Sequence, residues 1–146
     1  MPAAWPRHVT VALLCGVGVA LSACTGLLGP DDSRAGLSCI DDSTQCVDQR
    51  QATLKAMLAD KDRAWVKEQA TPHAHASGVR LFAFRSKKTE LTCEELAHGR
   101  REAESAPKTL KNGQGLSPAQ ISRASIFAAE VNKELMAEMK KRRCRA

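Results

Sequence analysis

Tyrosine is absent from this 146-residue chain, which holds only two Trp and three Phe. Beyond the N-terminal segment the aromatic bulk comes from Trp65, Phe82, Phe84 and Phe127 alone. A small domain with so few large side chains buries a limited core and needs stabilisation from elsewhere. No apolar run approaches the roughly 20 residues that span a bilayer, which excludes an ordinary transmembrane helix. G-x-G-x-x-G and P-loop patterns are missing, so no nucleotide-cradling signature is present. Ser33, Ser38, Ser43, Ser77 and Ser117 stand in no G-x-S-x-G setting, and a serine nucleophile would also need a base and an orienting group. Close C-x2-C pairs of the kind that bind zinc do not occur, nor does any internal repeat or low-complexity tract. These absences predict a non-enzymatic protein with no metal and no cofactor.

What is present begins at the N-terminus. Arg7 and His8 form a modest basic region, and Val9 to Leu21 is an almost unbroken apolar run of 13 residues, the length of a secretory core. The small residues Ser22 and Ala23 then precede Cys24. The quartet Leu21-Ser22-Ala23-Cys24 resembles the lipobox of bacterial lipoproteins, a likeness confined to the N-terminal segment. That resemblance implies a thiol diacylated at Cys24, removal of residues 1–23 as a signal peptide, and acylation of the new amino group. Thr25 rather than Asp after the cysteine, by similarity to Gram-negative sorting, implies the outer membrane, facing the periplasm. The competing reading is a secreted protein cleaved nearby, with Cys24 a structural cysteine.

Six cysteines become four if Cys15 leaves with the signal and Cys24 takes lipid: Cys39, Cys46, Cys93 and Cys144. An even set in an exported domain predicts two disulfides, with three connectivities open. Cys39 and Cys46 cannot be bonded inside one helix, because seven residues rise about 10.5 Å and a disulfide tolerates at most about 7 Å between Cα atoms. They can close a ring ahead of the first helix. Cys93 opens one expected helix and Cys144 follows another, so an antiparallel hairpin would bring those two thiols to the same end. Cys39 with Cys46 and Cys93 with Cys144 is therefore the favoured pairing.

Residues 24–38 are rich in turn formers, from Thr25-Gly26 to Ala35-Gly36, and read as a lipid-anchored flexible tether. As a flexible chain it would hold a domain about 20 Å from its anchor. Residues 39–146 are the folded unit, expected to be mainly α: a small bundle of about four helices stapled by two disulfides. Val47, Leu54, Leu58 and Trp65 recur at helical steps behind an Asp42-x-x-Gln45 capping box. Thr71-Pro72 has the form of an N-cap with proline in the first turn. Val79 to Arg85 has strand-like composition, but no second strand exists to pair with it, so it is taken as helical. Thr92-x-x-Glu95 and Ser117-Pro118-x-Gln120 are capping boxes for the last two helices, with loop chemistry from Pro107 to Gly115 between them. Ile121, Ala124, Ala128, Val131, Leu135 and Met139 then form one continuous apolar stripe.

Candidate chemistry is sparse. His73 and His75 point the same way only on a strand; on a helix they diverge, and the expectation is a solvent-exposed pair rather than a metal pair. Glu94 and Glu95 are accounted for by a helix N-terminus. The chain carries 22 Lys and Arg against 16 Asp and Glu, a formal net charge of +6, concentrated at Lys140, Lys141, Arg142 and Arg143. Much of that cluster suits the negative end of the last helix; it also suits contact with an anionic envelope polymer or lipid surface. No aromatic residues interleave with it, which argues against nucleic acid as a partner. The function expected is a structural or protein-interaction component of the cell envelope, membrane-bound through its N-terminal lipid. The alternative is a periplasmic ligand-binding or hydrolytic accessory protein whose site forms only in three dimensions.

The anchor is directly testable. Cys24→Ser is expected to abolish palmitate labelling and to move the protein from the membrane to the soluble periplasmic fraction. A Cys24→Ser protein that stays fully membrane-bound refutes the lipidation.

Overall fold

The computed structural model describes residues 36–145; the expected signal peptide, Cys24 and most of the expected tether lie outside them. Among the described residues the chain is helical, without strands. The elements are α1 (Thr44–Ala59), a 3-10 turn (Ala64–Lys67), α2 (Pro72–Ser77), α3 (Val79–Lys87), α4 (Cys93–Lys111) and α5 (Pro118–Lys141). No described helix is long and apolar enough to cross a membrane. Leu37 already packs against the core, so packing begins ahead of the expected boundary at Cys39.

The start of α1 differs from expectation by one residue. Ser43, not Asp42, is the N-cap, its hydroxyl accepting from the Cys46 N–H, while Asp41 accepts from the Ser43 N–H at 2.8 Å. The helix also stops at Ala59, short of Trp65. Asp60 ends it by offering the backbone other partners: its carboxylate accepts from the N–H groups of Asp62 and Ala64 at 3.0 and 2.9 Å. Trp65 therefore reaches the core from the 3-10 turn. Its indole N–H donates to the Met57 carbonyl at 3.0 Å, and its ring meets Phe84 edge-on with centroids 4.9 Å apart.

Thr71 and Pro72 open α2 as expected, with the threonine hydroxyl accepting from the Ala74 N–H at 3.1 Å. Gly78 then turns the chain at φ 73°, a left-handed conformation that favours glycine, and separates α2 from α3. Helix α3 is the ambiguous segment of the sequence, and its ambiguity has a physical cause. Val79, Arg80, Leu81, Ala83 and Phe84 are all buried, so the helix is enclosed on most sides and displays no clean amphipathic period.

Both remaining capping boxes form, Thr92 with Glu95 at α4 and Ser117 with Gln120 at α5. The expected break at Pro107 does not occur. Helix α4 continues through it to Lys111, which leaves a short connection before Pro118. An interior proline costs about 3 kcal/mol. Ala106 and Leu110, both 0 % exposed, can offset that only if the last turn stays helical and holds them in the core. Helices α4 and α5 form the expected antiparallel hairpin, closed at its open end by Cys93–Cys144, with Cα atoms 5.4 Å apart. Cys39–Cys46 closes the small ring before α1, at 5.3 Å. In a chain-entropy account the 51-residue loop contributes about 4 kcal/mol and the seven-residue loop about 2 kcal/mol, so the hairpin bridge is the stronger staple.

The core lies between this hairpin and α3, around Leu81, Phe84, Leu96, Leu110, Val131 and Leu135. Gly99 is what lets α4 approach α3: a Cβ there would sit 2.5 Å from the Phe84 ring. Alanine would gain about 1 kcal/mol of helix propensity at an exposed position. Here overpacking against a fully buried ring dominates, and Gly99→Ala is expected to destabilise the protein by about 1–3 kcal/mol in urea titration. A variant as stable as its parent contradicts the close approach.

Candidate functional site

Arg80 of α3 is 1 % exposed, and Glu102 of α4 faces it at 7 %. The guanidinium donates through Nε to Oε1 at 3.0 Å and through Nη2 to Oε2 at 2.7 Å, a bidentate pair. It also donates to the carbonyls of Trp65 at 2.7 Å and Glu68 at 2.8 Å, so one side chain joins α3 and α4 to the 3-10 turn.

Beside this pair lies a polar cleft of about 360 Å³, bordered by Lys67, Glu68, His75, His98, Arg101 and Glu102. His75 comes from the last turn of α2 and is 2 % exposed, which corrects the expectation of a solvent-exposed His73 and His75 pair. Only His73 keeps part of its surface in solvent. His98 is stacked on Phe84, with centroids 6.4 Å apart and 23° between the rings. Nδ1 of His75 and Nδ1 of His98 are both enclosed and without a hydrogen-bond partner. Burial holds the His75 imidazole below its ordinary value of 6.5; the Glu102 carboxylate opposes this and the Arg80 charge reinforces it. Among the described residues no three His, Cys, Asp or Glu side chains converge as a metal site.

His98, Arg80 and Glu102 were not singled out from the sequence. One local signal existed: His98 and Glu102 are four residues apart and share a face of α4, as do Arg101 and Ser105. That face becomes a site only when α2 brings His75 onto it, and nothing in the spacing of residues 75 and 98 announces the meeting.

A second feature is an apolar groove of about 470 Å³ where α1, α3 and α5 diverge, lined by Val47, Leu54, Val79, Phe82 and Phe127. Phe82 is 44 % exposed there. Arg50 and Arg123 border the opening, near Asp42 at 3.7 and 3.8 Å, and Arg50 also donates to the Cys39 and Asp41 carbonyls. Arg85 lies 6.0 Å over the Phe127 ring and is paired with Glu134 at 2.7 Å.

The remaining candidates occupy simpler positions. Lys140, Lys141, Arg142 and Arg143 are exposed at the end of α5. Arg142 donates to the Leu91 carbonyl, closing the hairpin end, while Lys141 lies 3.9 Å from Glu138. Glu95 completes its capping box and receives Arg63 Nε at 2.9 Å. Cys39, Cys46, Cys93 and Cys144 are all in disulfides.

The His75 environment sets a pH dependence. Well above pH 6.5 the imidazole is neutral in folded and unfolded chains alike, so the full stability is present. As pH falls below that value the unfolded chain takes a proton that the folded chain resists, and stability is lost. The depressed carboxyls of Asp41, Glu95 and Glu134 keep their full contribution across this range and lose it only at lower pH, since their ordinary values are 3.8, 4.5 and 4.5. The melting temperature is expected to drop between about pH 7 and pH 5, and to drop less in His75→Gln. Equal drops in the two proteins contradict the assignment.

No protein-family model matches the chain, and no curated protein or solved structure is detectably similar to it.

Proposed function

We propose that this protein is a non-enzymatic envelope component, tethered through an acylated Cys24 at the periplasmic face of the outer membrane, that docks a partner protein in the groove between α1, α3 and α5. The observation that carries the reading is the groove itself. A half-exposed phenylalanine above an apolar floor, in a chain with few aromatics, is the composition of an interaction hot spot rather than of a solvated surface. The rim states the partner's chemistry. Arg123, largely exposed, and Arg50 beside it at the edge of an apolar floor complement an amphipathic helix that offers apolar anchors flanked by carboxylates.

The lipobox and the two disulfides support the location, since disulfides persist in oxidising compartments. The exposed Lys140, Lys141 and Arg143 suit additional contact with anionic envelope polymer or lipid.

A photo-crosslinking residue placed at Phe82 in intact bacteria is expected to yield a discrete adduct, whereas one at Ile126, exposed elsewhere on α5, is not. Arg123→Glu and added salt should each weaken the Phe82 adduct, because the rim charge steers an acidic partner. Absence of the adduct, or an adduct indifferent to both changes, sinks the docking assignment.

A further inference from the structure

The polar cleft between α2 and α4 has free donors, and its buried carboxylate is occupied. Glu102 already receives both Nε and Nη2 of Arg80, and Glu68 Oε2 lies 3.9 Å from Arg80 Nη1. The imidazoles are in the opposite condition. A proton on either enclosed Nδ1 would be a buried donor with nothing to accept it, and orphaned buried donors are rarer than under-satisfied acceptors. The proton is therefore assigned to Nε2 in both rings, and neither Nε2–H has a hydrogen-bond acceptor among the described residues. Lys67 and Arg101, exposed at the cleft's edge, take part in no ion pair with a described residue.

Two unengaged imidazole N–H groups and two unpaired cations call for the same complement. We propose that this cleft binds a small oxyanion, a phosphate or carboxylate group, accepting from His75 and His98 and neutralised by Lys67 and Arg101. The Arg80–Glu102 pair serves as the rigid back wall. By fully engaging its carboxylate it removes the one buried group that would repel an anion. A volume of about 360 Å³ exceeds that of a bare phosphate and leaves room for part of the molecule that carries the charged group. This site is separate from the apolar groove and does not depend on the docking reading.

The purified full-length protein, labelled with ¹⁵N-histidine, is titrated with sodium phosphate, with sodium acetate, and with sodium chloride at matched ionic strength. Saturable shifts of the His75 and His98 ring signals with phosphate alone assign a phosphoryl ligand. Saturation by acetate alone assigns a carboxylate, and saturation by both assigns a general oxyanion site. In each case the Lys67→Gln, Arg101→Gln double variant, altered only at exposed positions, is expected to keep its melting temperature and bind about tenfold more weakly. Shifts no larger than those with chloride overturn the proposal, as does undiminished binding by the double variant.

Discussion

The pairing of Arg80 with Glu102 is the constraint on which the arrangement of the smaller elements depends. Transferring an ion pair out of water costs several kcal/mol per ion, recovered only when the remaining donors and lone pairs are engaged. Here the guanidinium meets a bidentate carboxylate and two backbone carbonyls, those of Trp65 and Glu68. Removing one partner of such a pair typically costs 3–5 kcal/mol, a large part of the roughly 5–15 kcal/mol that holds a domain together. The carbonyl contacts matter as much as the charge. They fix the short 3-10 turn and the extended residues after it against the face where α3 meets α4.

From that fixed point the rest follows outward. Trp65, positioned by the turn, packs on Phe84; Phe84 packs on Gly99 and under His98. The antiparallel hairpin of α4 and α5 supplies the long walls, and its disulfide prevents them from separating at the end where the loop does not join them. A chain with no tyrosine and five other aromatic residues thus reaches a packed core by using a few large side chains at the crossing and covalent closure at the edge.

Two surfaces of different character result. On one side α1, α3 and α5 diverge and leave an apolar groove bordered by Arg50 and Arg123. On the other, α2 caps a polar face of α4 and encloses imidazoles without giving them partners. One offers area and shape, the other directed donors, and the proposals of a docked protein and a bound oxyanion rest on that contrast.

Much of the fold was legible because its signals are local. Caps at Thr71, Thr92 and Ser117 act through hydrogen bonds to residues three positions away, and the stripe from Ile121 to Met139 is a property of one helix. The disulfide pairing followed from helix rise and hairpin direction, which are also nearly local. Three other features depended on tertiary contact. Helix α4 runs through Pro107 because Ala106 and Leu110 are buried against neighbouring elements, not because the segment favours helix. Trp65 leaves the α1 stripe because the Asp60 carboxylate captures two backbone donors. His75 changes from an expected surface residue to a buried neutral one because α2, a helix of six residues, lands on α4. By itself the sequence determined the helices, most of their starts and the staples. Which polar side chains would be sealed inside, and next to what, was decided only by packing, because burial is set by the neighbours that distant parts of the chain provide.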